Sequence, residues 1–279
     1  MDTFESKVAF ITGGASGIGF GIAQALAGAG ARIVIADINE AAAREAADRI
    51  GDTGGEAIAL RLDVTDPVEW EAARTATIRH FGPVHMLCNN AGVTGSMRTP
   101  VEELTTEGWR WTRSVILDGV INGLVAFLPH MKKHGQGGHV VNTGSMASLI
   151  AQPGTGDYTA AKFGVAGISE ILRAELAGTN IGVSILCPGH TRTGLIANSR
   201  LQMPGKEAAK VDAMFGSANM TSAMETGLDP RVTGEIVRRG VLEDRFYILT
   251  HPEYAAQVEE RFQALADDFA WANACRASL

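Results

Sequence analysis

Tyr158 and Lys162 stand four residues apart in a run rich in helix formers, so their side chains share one helix face and can meet. A phenol beside an ammonium is a proton-transfer pair, because the positive charge favours phenolate. A lowering of about 3 from the ordinary phenol value near 10 would let Tyr158 exchange protons near neutrality. Ser145, thirteen residues upstream, ends an apolar run that reads as a buried strand, where ligands bind in open parallel sheets. Together the three groups suit proton transfer to or from a bound ligand. The four-residue spacing carries little specificity alone, so the case rests on what surrounds it.

A phosphate cradle is the strongest neighbour. After the apolar run at 8–11 comes Thr12-Gly13-Gly14-Ala15-Ser16-Gly17-Ile18-Gly19, and an alanine-rich helical pattern opens at Phe20. Glycines there allow a tight turn and let backbone N–H groups approach a pyrophosphate, while the helix N-terminus aims its partial positive charge at the anion. Gly13, Ser16, Gly17, Ile18 and Gly19 are therefore candidate cofactor contacts. Asp37 ends a second apolar run eighteen residues past Gly19, where a carboxylate can hold adenosine ribose hydroxyls. It would repel the 2′-phosphate of NADP, and neither Arg nor Lys follows in Asp37-Ile38-Asn39, so NAD is favoured over NADP. Capping of the helix that starts near Asn39 is a compatible second role. Asp63 and Val64 either touch adenine or form a turn with Thr65 and Asp66, and the residues leave both readings open. The loop lacks the Lys followed by Ser or Thr that a nucleotide triphosphatase needs.

The elements that must position these groups follow from the pattern. Apolar runs at 8–11, 33–36, 57–60, 84–88, 139–142, 183–186 and 246–249 read as strands, the first six buried on both sides. Helical spacing marks 40–50, 67–80, 158–177, 230–240 and 253–274, with Asp66 as N-cap before Pro67. Alternation of strands and helices predicts an α/β fold, a parallel sheet covered on both faces. The 279 residues form one domain in this reading, with a substrate lid over 191–229 and a C-terminal helical extension over 252–275.

Composition excludes several classes. With 46% hydrophobic and 20% charged residues the chain is globular, and a formal net charge of −7 argues against nucleic-acid partners. Three scattered cysteines form neither a disulfide framework nor a metal motif, which fits a reducing cytoplasm. The uncharged stretch 8–31 holds seven glycines and is no membrane span, and Asp2 and Glu5 replace the basic start of a secretory signal. His130 and His134 have metal-ligand spacing without a third ligand, so no metal is expected.

These motifs, with Asn89-Asn90-Ala91-Gly92, resemble the short-chain dehydrogenase/reductase family, in its subgroup with TGxxxGxG and YxxxK patterns, over nearly the whole chain. The resemblance implies a doubly wound sheet of about seven parallel strands, a nicotinamide cofactor and hydride exchange between an alcohol and a ketone. It implies Tyr158 as the proton acceptor, Lys162 on the nicotinamide ribose, and Ser145 on the substrate oxygen. Asn90, Ala91 and Gly92 would line the cofactor, with Pro188, Gly189 and Thr193, and Thr191 between them, at its carboxamide end. It further implies a homotetramer or dimer built on helices near 109–132 and 158–177. One position departs from the pattern: Val115-Ile116-Leu117-Asp118-Gly119-Val120 puts Ile116 where many relatives carry an asparagine that links the lysine to a water chain. Asn122 and Ser114 are nearby but point elsewhere on a helix.

Thr94, Met97, Ala147, Leu149, Ile150, Leu195 and the methionines at 203, 214, 220 and 224 would then surround the nicotinamide without a cationic clamp. That predicts a bulky, neutral secondary alcohol or ketone as substrate. The tail Phe246-Tyr247-Ile248-Leu249-Thr250-His251-Pro252 is similar to that of bacterial dehydrogenases acting on benzylic alcohols in lignin-derived aryl ethers. Two competing functions are an NAD-binding regulator of weak catalysis, motivated by Ile116, and serine-based hydrolysis at Ser145, which lacks a GxSxG elbow.

Overall fold

The computed structural model describes residues 1–205, 208–209 and 227–279. Its strands are β1 (Val8–Thr12), β2 (Arg32–Asp37), β3 (Ala57–Arg61), β4 (Met86–Asn89), β5 (Gly138–Thr143), β6 (Ile181–Cys187) and β7 (Tyr247–Leu249). All pair in parallel in one sheet of order β3-β2-β1-β4-β5-β6-β7. The helices are α1 (Gly17–Ala27), α2 (Glu40–Gly51), α3 (Pro67–Phe81), α4 (Thr106–Arg113), α5 (Gly119–His134), α6 (Gly156–Glu175), α7 (Leu195–Gln202), α8 (Pro230–Leu242) and α9 (Ala255–Ser278).

Side-chain alternation along the central strands sends residues to two apolar layers. Ile11, Ile33 and Ile35 pack with Ile22 and Leu26 of α1 and Val237 of α8, whereas Val8, Phe10 and Val34 pack with Trp70 of α3, Phe127 of α5 and Leu172 of α6. Phe10 and Phe127 stack with centroids 4.6 Å apart. Both faces are therefore covered, which is why β1 and β5 are buried along their whole length. At the outer edge, β7 buries only Ile248 and exposes Tyr247 and Leu249. Strand order reverses direction between β1 and β4, and the carboxyl ends there open a crevice of the kind that receives ligands in open α/β sheets.

One sequence expectation needs correction. The helix expected over 109–132 is broken: Ser114–Asp118 forms a π-helical turn between α4 and α5. The wider i→i+5 bonding leaves no trace in apolar periodicity, and such turns concentrate at functional sites. Although Thr106–His134 is long and apolar enough to cross a membrane by composition, Val120, Gly123, Ala126, Phe127 and Met131 are buried inside the fold as a core helix would be. After β7, α9 runs to Ser278 and meets the body through Val258 and through Arg261 stacked 5.1 Å from the Phe163 centroid. Met214, Met220 and Met224 of the expected lid lie outside the described residues, whereas Met203 is buried beside Trp111.

Candidate active site

One cavity of about 710 Å³ runs across the carboxyl ends of the sheet, within the range of small-molecule sites. At one end the β1–α1 loop lines it with Gly13, Ser16, Gly17 and Ile18, followed by Asp37, Asp63 and Val64, and Asn90, Ala91 and Gly92 bridge to Ser145, Tyr158 and Lys162. Pro188, Gly189, Thr191 and Thr193 close the far side. Gly19 does not line it but makes the turn feasible, since a Cβ there would sit 2.2 Å from the Gly13 carbonyl oxygen.

The loop is held by its neighbours rather than by glycine alone. Thr12 Oγ1 accepts the N–H groups of Asn90 and Ala91 at 2.9 and 3.0 Å, and Asn90 Nδ2 donates back to the Thr12 carbonyl at 3.0 Å. Asn90 is thus a brace for the cradle as well as a lining residue. At the start of α1, Ser16 makes no capping bond through its side chain and no acidic residue stands in the first turn, so the helix end favours an external anion. Asp37 accepts N–H from Ala15 and Asn39 at 3.2 and 3.1 Å, while Asn39 caps α2 through Ala42 N–H. Burial pushes the Asp37 carboxyl up, against the pull of those backbone bonds. Asp63 performs its turn role, accepting the N–H and hydroxyl of Thr65 at 2.9 and 2.8 Å, and lines the cavity too.

The reactive groups come from β5, the turn after it and α6. Lys162 is 5% exposed, donates from Nζ to the Thr143 carbonyl at 2.8 Å, and lies 5.7 Å from the Tyr158 ring centroid. Burial of the ammonium lowers its pKa to about 8. Ser145 accepts Ala147 N–H at 3.1 Å and shares a hydrogen bond with Tyr158. Ser148 ties the group together, accepting Ser145 N–H at 3.1 Å and donating to the Lys162 carbonyl at 2.9 Å. Contrary to the lowering expected for a proton acceptor, burial raises the Tyr158 pKa in the protein alone, and only the bond to Ser145 opposes it. A positive charge close to the phenol oxygen would favour the phenolate against that burial.

Residues beyond the sequence reading complete the site. Asp157, next to Tyr158 and 1% exposed, accepts Ser96 N–H at 2.9 Å, the Thr112 hydroxyl at 2.7 Å and Tyr158 N–H at 2.8 Å. It joins the Thr94–Met97 wall, α4 and the start of α6. An acidic residue in the first turn of a helix was its only sequence signal. Asp157→Ala leaves three buried donors without an acceptor. It is expected to lower stability by about 2–4 kcal/mol and kcat/KM by about a hundredfold, and Asp157→Asn, whose amide can donate to a rotated Thr112 hydroxyl, by much less. Thermal unfolding and steady-state rates of both variants check this.

Of the residues expected around the nicotinamide, Thr94, Met97, Ala147 and Leu195 line the cavity. Leu149 and Ile150 do not: Leu149 packs into the apolar cluster under the site, and Ile150 is buried. Gln152, Thr155, Ile196, Asn198 and Tyr254 line it in addition. Among the described residues Lys162 is the sole Lys or Arg in the lining. Ile116, 1% exposed, lies in the π turn and packs with Val93, Met146 and Tyr158, so its side chain fills the position with hydrocarbon. His130 and His134 bond through their rings to the Val84 backbone N–H and carbonyl at 3.2 and 2.9 Å, before β4 begins and so at the amino ends of the strands, away from the cavity.

These residues fit a nicotinamide dinucleotide. The cradle and Asp37 stand at one end, and at the other Thr191 Oγ1 is buried without a partner among the described residues, as a seat for an external polar group requires. Fold and site together define a doubly wound dinucleotide-binding protein with a phenol, an ammonium and a hydroxyl beside the cofactor seat. The family described as short chain dehydrogenase matches residues 7–204. The chain is 34% identical over 272 residues to the C alpha-dehydrogenase of Sphingobium sp. strain SYK-6, covering 97% of this chain and 88% of that one. It is 39% identical over 194 residues to the cyclohexanol dehydrogenase of Acinetobacter sp. strain SE19, covering 70% and 76%. A short chain dehydrogenase/reductase from Burkholderia phymatum, solved in complex with NAD, shares 32% identity at a TM-score of 0.87 over 96% of this chain and 97% of that one. The chain belongs to the short chain dehydrogenase family. It is an oxidoreductase that uses a nicotinamide cofactor, and the regulator of weak catalysis is not favoured.

Proposed function

We propose that the protein is an NAD-preferring dehydrogenase that interconverts a bulky, uncharged secondary alcohol, aryl carbinols among them, and its ketone. The observation that carries this reading is the single cavity that joins the Asp37 end to Tyr158 and Ser145 with no cation but Lys162 in its described lining. The relatives named for C alpha oxidation and for cyclohexanol support an uncharged alcohol.

In this reading the β1–α1 loop and the start of α1 hold the pyrophosphate, Asp37 the adenosine ribose, and Asp63 and Val64 the adenine. Asn90, Ala91 and Gly92 line the middle, and Pro188, Gly189, Thr191 and Thr193 seat the carboxamide end. The cofactor supplies hydride exchange at its nicotinamide ring. Ser145 holds the substrate oxygen, Tyr158 takes the hydroxyl proton in oxidation and returns it in reduction, and Lys162 supplies positive charge beside the phenol and donors for the nicotinamide ribose. Ile116 offers no polar atom, so any proton path from Lys162 runs through backbone carbonyls and water. The chain acts as one domain, with α7 covering the substrate and the extension after β7 flanking it. Exposed Ile121 and Val125 on α5, Ile171 on α6 and Phe269 and Trp271 on α9 favour self-association as a dimer or tetramer, and three free thiols suit a cytoplasmic setting.

The test is formation of reduced nicotinamide with NAD or NADP across cyclohexanol, aryl carbinols, terpene and steroid alcohols, and charged hydroxy acids. Turnover of the neutral alcohols with NAD is expected, and Asp37→Ala should narrow the preference over NADP by about tenfold or more. Turnover confined to hydroxy acids, or a preference for NADP, would overturn the reading.

A further inference from the structure

We propose that His251, in the segment after β7, is a positioning residue for the nicotinamide seat, an inference that rests on the cofactor placement above. Its Nδ1 accepts Gly189 N–H at 3.0 Å and pairs with the Thr250 hydroxyl at 2.7 Å, and its Nε2 lies 3.0 Å from the His190 carbonyl oxygen. An Nδ1 that accepts an amide proton carries a lone pair, so Nε2 holds the ring proton and donates it to His190. One imidazole therefore grips the backbone on both sides of the Gly189 α-carbon. Met146 N–H, one residue from Ser145, holds the preceding Pro188 carbonyl at 2.9 Å, so three consecutive residues are fixed from two directions.

The ring lies so close that a Cβ on Gly189 would come within 2.7 Å of it, which accounts for glycine at this position. Gly189 and His190 line the cavity, whereas His251 does not and acts through them. The same short segment carries Tyr254, which lines the cavity and packs in the apolar cluster that includes Tyr158. The turn leading into α9 thus holds the cofactor loop with one side chain and walls the substrate space with another. Fixing the loop before binding removes an ordering cost, and that benefit falls on the nicotinamide half of the cofactor alone.

ADP-ribose contains the cradle-binding half of NAD and lacks the nicotinamide, so it separates positioning from general stability. His251→Phe keeps the ring and loses the bonds, and is expected to weaken NAD binding by about tenfold while ADP-ribose binding changes less than about twofold. His251→Asn retains an acceptor for Gly189 N–H and should recover most of the NAD affinity. In the protein without cofactor, hydrogen exchange at the Gly189 amide should be faster in His251→Phe than in the wild type, with protection at β1 and β5 unchanged. Equal loss of both ligands, unchanged NAD affinity in His251→Phe, or Gly189 exchange as slow as in the wild type would each overturn the inference. Failure of the wild type to bind ADP-ribose or NAD would instead strike the cofactor placement itself. Should His251→Phe not fold, the same comparisons apply to His251→Gln, which keeps the donor to His190 and lacks the Gly189 acceptor.

Discussion

Tyr158→Phe is expected to reduce turnover by at least about a thousandfold while leaving NAD binding within about twofold of the wild type. Among the described residues the Tyr158 phenol is the one in the lining that shares a hydrogen bond with Ser145, and phenylalanine keeps the ring in the cluster with Ile116, Val93 and Val258. The substitution removes a proton donor and acceptor without opening the core, so stability should hold. Burial already holds the phenol in its neutral form in the protein alone, so the wild type is poised as a proton donor until cofactor charge arrives. Steady-state rates in both directions, beside titration of NAD binding, check this. Retention of more than a tenth of the activity would move the proton transfer to another group.

Lys162→Met combines a comparable loss of turnover with a gain in stability. Burial drops the ammonium from 10.5 to about 8, so the folded state binds this proton less tightly than the unfolded chain does. The sign follows: below pH 8 both states are protonated and the full penalty of about 3 kcal/mol acts against folding. Between pH 8 and 10.5 the folded state releases its proton first, and the penalty fades. Methionine matches the stem in length, needs no hydration, and loses one bond to the Thr143 carbonyl. The net gain at neutral pH is about 2 kcal/mol, or several degrees in Tm for a chain of this size. The variant's advantage over the wild type should shrink as the pH rises above 8, measured by thermal unfolding across pH. A variant less stable than the wild type at pH 7 would show that the ammonium is better solvated than its burial implies. The charge is retained at a cost because the chemistry needs it beside Tyr158.

The chain without a structure already showed much of this arrangement. Its strands are apolar runs because both faces of the sheet are covered, and its helices announce themselves by caps such as Asp66, which accepts Val68 N–H as its position before Pro67 foretold. The π turn at Ser114–Asp118 was invisible, since one extra residue in a turn alters hydrogen bonding without altering composition. Leu149 and Ile150, expected around the nicotinamide, follow the short turn Met146–Ser148 into packing instead. Asp157 stood out for nothing in the sequence, because nothing local reveals that Ser96 and Thr112 bring their donors to it from 61 and 45 residues away.

By itself the sequence determined the fold class, the glycine cradle with its acidic partner at Asp37, and the pairing of Tyr158 with Lys162, all of which depend on local backbone geometry and on spacings within one element or one βαβ unit. Only the tertiary structure decided that Ile116 is core, that His251 reaches Gly189 from 62 residues away, and that Tyr254 walls the cavity. Such contacts are chosen by how whole elements pack, and packing depends on shapes and distances that no periodicity along one segment records.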